Sequence, residues 1–184
     1  MSHRTKLIIA AIFLVLIAIP AAYVIRTWHP TNPLRFRFSE VHPEADLKKG
    51  IRKITVTVEN ASDAPVQLYG ASIEVPNSKG RAPERAGFCG PWSHSSIGGA
   101  SRPVRFVVVP ARGTTRITAE LRTEYMTDGK SGRLQVTYHW MSVTKSKSAG
   151  LFKWIHGGSP QWLRSLSPDF KIKPDIAPLE GVAE

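Results

Sequence analysis

From Leu7 to Ile25 the chain reads LIIAAIFLVLIAIPAAYVI, a run with no charged residue. As a helix it would be about 28 Å long at ~1.5 Å per residue, close to the ~30 Å hydrocarbon thickness of a bilayer. Arg4 and Lys6 bound it on one side. Tyr23, Arg26 and Trp28 stand at the other boundary, where amphipathic rings and basic groups favour the headgroup layer, so these three are the membrane-interface candidates. Pro20 lies inside the run, and a bilayer helix tolerates proline better than a soluble one does. The competing reading is a cleaved signal peptide with a c-region starting at Pro20. Cleavage after Ala22 puts Pro20 at −3, and cleavage after Ala21 puts Ile19 there; both lack the small residue that processing needs. No cysteine follows the run closely, which excludes a lipoprotein anchor.

The sequence therefore predicts a single-pass protein with a short basic tail (1–6), a transmembrane signal-anchor (7–25) and a proline-containing linker (26–33). The basic N-terminus predicts an N-in orientation, with the C-terminal domain outside the cytoplasm. Arg26, Arg35 and Arg37 beyond the span reduce the charge asymmetry behind that orientation.

Beyond the linker the apolar period changes to two. Leu34, Phe36 and Phe38 alternate with Arg35 and Arg37; Ile54, Val56 and Val58 with Lys53, Thr55 and Thr57; Ile117, Ala119 and Leu121 with Arg116, Thr118 and Glu120; Leu134, Val136, Tyr138 and Trp140 with Gln135, Thr137 and His139. Each pattern is a strand with one face on a core. Val66 and Leu68 share one parity and Ala71, Ile73 and Val75 the other, so a β-bulge at Gly70 would bring both sets to one face. The run Val104–Val109 is apolar on both parities at its end and predicts a central strand covered on both sides. Six strands follow, at about 34–41, 51–60, 66–75, 104–109, 114–122 and 133–143, with a weak seventh near 86–92. The expectation is an all-β, Ig-like antiparallel sandwich of 6–7 strands over 34–143, with a long loop at 76–103. The likeness is to an architecture, and that architecture transfers no function.

The net charge of +11 is unevenly placed. Residues 78–122 hold Lys79, Arg81, Arg85, Arg102, Arg105, Arg112, Arg116 and Arg122 against Glu84 and Glu120, more than half of the excess. Arginine suits bidentate contact with carboxylate or phosphate. Arg81, Arg85 and Arg102, in the irregular stretch, are the anion-binding candidates, for an acidic protein, a glycan or a lipid headgroup. The competing reading is a solvated basic face. Aromatic interleaving of the kind used by single-strand binders is missing, which argues against nucleic acid.

The loop 76–103 also holds the only cysteine, in Phe88-Cys-Gly-Pro-Trp-Ser-His94. Cys89 and His94 are the weak metal or nucleophile candidates, since a thiolate with an imidazole serves both chemistries. A blue-copper site would need a second histidine and commonly a nearby methionine, and none follows His94 before Met126. A nucleophile pair would need an orienting third group. The plainer reading packs Phe88, Cys89 and Trp92 as an apolar plug. Ser142-Val-Thr-Lys145 matches S-x-x-K, but at a strand end with no helix and no companion motif, so it reads as chance. Asn60-Ala-Ser62 is a glycosylation sequon. No phosphate loop, dinucleotide fingerprint or paired-carboxylate motif appears, and no cofactor is implied.

The tail, 144–184, opens with a linker-like Lys145–Gly150. A short aromatic docking segment follows at 151–166 (Leu151, Phe152, Trp154, Ile155, then Trp162 and Leu166), with Ser159 and Pro160 as N-cap and N1 of a brief helix. So much apolar surface has to dock, on the domain, the membrane interface or a partner. After Pro168 the prolines predict an extended, frayed end. The reading that best joins these features is a non-enzymatic, membrane-anchored binding or assembly module. The alternative is an exported metal-handling or catalytic domain built around the Cys89–His94 loop.

Overall fold

The computed structural model describes residues 2–46, 50–76, 83–90, 106–156, 170 and 172–181. An apolar helix α1 (His3–Trp28) precedes eight strands: β1 (Leu34–Asp46), β2 (Ile51–Asn60), β3 (Val66–Val75), β4 (Glu84–Cys89), β5 (Val107–Val109), β6 (Thr114–Arg122), β7 (Gln135–Ser142) and β8 (Lys173–Glu180). A 3₁₀ turn (Thr123–Tyr125) and helix α2 (Met126–Lys130) separate β6 from β7, and helix α3 (Val143–His156) follows β7. Ser2 caps α1, its hydroxyl accepting from the Thr5 N–H at 3.3 Å, and the helix runs unbroken through Pro20.

The strands form a single sheet in the order β4-β6-β2-β1-β8-β7-β3-β5, and β4 also pairs with β3. The sheet thus closes as a seven-strand, barrel-like ring with β5 as an extra strand on β3. This corrects the expected two-sheet Ig-like sandwich, and the reason lies in two strands. The six strands legible in the sequence form two separate groups, β6-β2-β1 and β7-β3-β5. β4 joins the groups along one seam, pairing Cys89 with both Ala71 and Ala119. β8 joins them along the other, antiparallel to β7 from Gln135↔Pro178 to Trp140↔Lys173 and parallel to β1 at Phe36↔Leu179. The weak strand near 86–92 is β4. β8 falls where a frayed end is expected, because Pro174 and Pro178 mask its pattern. The Leu179 N–H donates to the Leu134 carbonyl at 2.9 Å. Strand alternation then turns the nitrogens of Pro174 and Pro178 away from β7, where they owe the ladder no donor.

The interior follows the period-two reading. Phe36, Ile54, Val56, Val58, Leu121, Val136 and Tyr138 are fully buried, and Ile117 and Trp140 nearly so. The phase change at Gly70 is a bulge: β3 pairs Leu68 with Trp140 and then Gly70 with His139, so Tyr69 is the extra residue. Val66, Leu68, Ala71 and Ile73 all reach the core as a result. At the end of the barrel far from α1, α2 acts as a lid. Gly129 lets Leu121 and Phe38 approach to distances a Cβ would crowd. Within the described part of Val104–Val109, β5 holds Val107–Val109 and pairs with β3 alone, so the described strand is at an edge rather than central. Its apolar outer parity is an exposed patch, with Val108 and Phe106 each 46% exposed and the Phe106 ring 5.8 Å from Tyr69. The linker-like 145–150 is helical, as part of α3.

Candidate functional site

The most specific arrangement of polar side chains lies where α1 meets the barrel. Along its length α1 is exposed, and Thr27, in the last turn, is its buried residue at 2% exposure. The Thr27 hydroxyl donates to the Tyr23 carbonyl at 2.8 Å and lies 3.0 Å from the Thr144 hydroxyl of α3. The Ser142 hydroxyl, at the end of β7, donates to the Trp28 carbonyl at 3.1 Å and accepts the Lys145 N–H at 3.1 Å. Ser142 therefore caps α3 while holding the carbonyl end of α1, one of the orphan groups a helix terminus leaves.

Asp63, in the β2–β3 turn, accepts from Arg112 Nε at 2.8 Å and Arg26 Nη2 at 3.0 Å. The Arg112 hydrogen bond and charge, with a smaller part from Arg26, hold the Asp63 carboxyl below its ordinary 3.8. All three side chains are substantially exposed, so the cluster orients more than it stabilises. Beneath it Asn60 is fully buried. Its amide Nδ2 reaches the carbonyls of Ala64 (2.8 Å), Pro110 (2.9 Å) and Val109 (3.2 Å), and its Oδ1 accepts the Ser62 N–H at 3.0 Å. The sequon asparagine is thus a clasp between two turns, with its amide closed to a glycan.

The sequence candidates scatter. Tyr23, Arg26 and Trp28 come together at this junction: Tyr23 is exposed, Arg26 is paired with Asp63, and the Trp28 ring lies 5.8 Å from Phe170. Arg85 sits on β4 at the opposite end, exposed, its guanidinium 4.9 Å above the Phe88 ring. With Arg122 and Glu120 it lines a shallow, open surface depression of about 20 Å³. Arg81 and Arg102 lie outside the described residues, as does His94. Arg112 stands at the α1 end, so the described arginines of 78–122 do not share one face.

Cys89 is fully buried between Ala71 and Ala119, and burial pushes its thiol up to about 12. At neutral pH it is a protonated, apolar side chain, unsuited to act as nucleophile or thiolate ligand. The S-x-x-K match falls at a strand end as expected, Ser142 closing β7, but a helix does follow it as α3; Ser142 is fully buried and its hydroxyl is committed to Trp28 and Lys145. Sequence reading missed Thr27, Asp63, Ser142 and Thr144. Only Ser142 carried a local signal, as the cap of a following helix; the others act through partners distant in sequence.

The sequence matches no family model and no curated protein. Among solved structures, an X-ray structure of a Northeast Structural Genomics Consortium target is 14% identical, with a TM-score of 0.32 over 63% of this chain and 78% of that one. The ASH/PapD-like domain 7 of human CEP192 is 11% identical, with a TM-score of 0.29 over 85% of this chain and 90% of that one. At scores this low neither likeness transfers a fold or a function to this chain.

Proposed function

We propose that the protein is a single-pass membrane protein whose uncleaved helix α1 holds the barrel outside the cytoplasm as a binding or assembly module. One observation carries this reading: an exposed apolar helix, long enough to cross a bilayer, ends in a turn bonded into the barrel through Thr27, Trp28 and Arg26. Ala21 and Ala22, the poor cleavage positions, lie inside that continuous helix. Arg4 and Lys6 favour an N-in orientation. The partner chemistry is anionic. Arg85 and Arg122 lie at the end of β4 and β6 away from the junction, about 25 Å along β6 at ~3.3 Å per residue. That distance from the anchor supports a soluble acidic protein or glycan over a lipid headgroup, with Arg85 as the cation offered and Arg122 shared with Glu124 at 3.5 Å.

The test is fractionation of the full-length protein with N-terminal sequencing. The protein should stay in the membrane pellet after carbonate washing with its N-terminus intact. A soluble form beginning at Ala22 or Tyr23 would overturn the anchor. Crosslinking from the anchored protein in its own cells would then identify the partner. An acidic surface and salt-sensitive capture are expected.

A further inference from the structure

Thr27 is two residues beyond Ile25, the end of the apolar run, or about 3 Å further along a helix axis. Its hydroxyl is 3.0 Å from that of Thr144. Helix α3 therefore starts at the depth where α1 would leave the hydrocarbon. Phe170 fills the corner between the two helices, 5.8 Å from the Trp28 ring and 5.5 Å from the Phe152 ring. From α3 Leu151 projects 56% exposed. The α3 sequence holds no carboxylate, and of its lysines Lys147 is exposed whereas Lys145 is buried at 5% exposure. An exposed leucine and a basic, carboxylate-free helix beside a membrane span match a segment lying in the headgroup layer.

We propose that α3 is an interfacial helix, seated in the headgroup layer of the leaflet from which α1 emerges, with Leu151 entering the acyl boundary. The barrel would then stand on the membrane at two points, α1 and α3, with a fixed orientation. This rests on the anchor reading for α1.

Spin labels at Ile12→Cys, Leu151→Cys and Lys53→Cys, each in the full-length Cys89→Ala protein in phosphatidylcholine–phosphatidylglycerol vesicles, test it through relative accessibility to oxygen and a nickel chelate. Position 12 should read deep in the bilayer, position 151 shallow but immersed, and position 53 aqueous. A deep reading at 12 with an aqueous reading at 151 would overturn the interfacial helix and leave the anchor standing. An aqueous reading at 12 would overturn both.

Discussion

The side-chain amide of Asn60 donates to the carbonyl of Pro110 across 2.9 Å, joining the end of β2 to the turn that leads into β6. The same amide serves Ala64 and Val109, so one residue fixes two turns at the end of the barrel that carries α1.

Replacing Asn60 with Ala should therefore cost about 3 kcal/mol or more, since several buried backbone groups lose their partner at once. Denaturant midpoints of wild type and variant measure it. In a glycosylating host the folded fraction should carry no glycan at Asn60, because a modified amide loses a donor and cannot fit the clasp. Endoglycosidase treatment followed by mass analysis reads this directly.

Asp63 gives a pH signature. Its carboxyl is held below 3.8 by Arg112 and Arg26, so its contribution is present above 3.8 and is lost as pH falls through the depressed folded value. Wild type should melt above Asp63→Asn near neutral pH, and the gap should close in acid. High salt near neutral pH should shrink it too, as both partners are exposed. A gap that persists in strong acid would show that the carboxylate charge is not the cause.

Adjacent positions on β7 test the barrel interior. Val136 is fully buried, whereas Gln135 is partly exposed. Val136→Asp buries an unpaired carboxylate and should cost several kcal/mol, on the order of the whole stability of a small domain. Gln135→Asp should be close to neutral. Equal losses in thermal melts would contradict the assigned strand phase.

The buried thiol makes an alkaline prediction. With its folded value raised to about 12 against an ordinary 9.0, Cys89 stabilises the fold fully below pH 9, and that contribution is lost as pH rises toward 12. At pH 8 an aromatic disulfide reagent should leave the native protein unmodified and react at once on denaturation. Cys89→Ala should fold, at a cost of about 1 kcal/mol, and should reduce the alkaline slope between pH 9 and 12, the remainder coming from Tyr125 and Tyr138, whose hydroxyls are also raised. Fast modification of the native thiol would revive a reactive Cys89.

The sequence alone determined the apolar helix, the phase of the long strands and the bulge beside Gly70. These are set by which side chains alternate or cluster over a few residues, and burial follows directly from that pattern. The residue order around Leu68, Gly70 and Ala71 even shows where the phase slips. The tertiary structure decided whether two sheets stack or one sheet closes. Closure depends on Cys89 meeting both Ala71 and Ala119, and on Leu179 lying beside Phe36, pairings between segments far apart in the chain. In β8 two prolines hide the alternation, and they are tolerated because their nitrogens face away from the β7 ladder. The junction was hidden for the same reason. Thr27, Asp63 and Ser142 look like ordinary polar residues until the fold brings Thr144, Arg112 and Trp28 within hydrogen-bond reach.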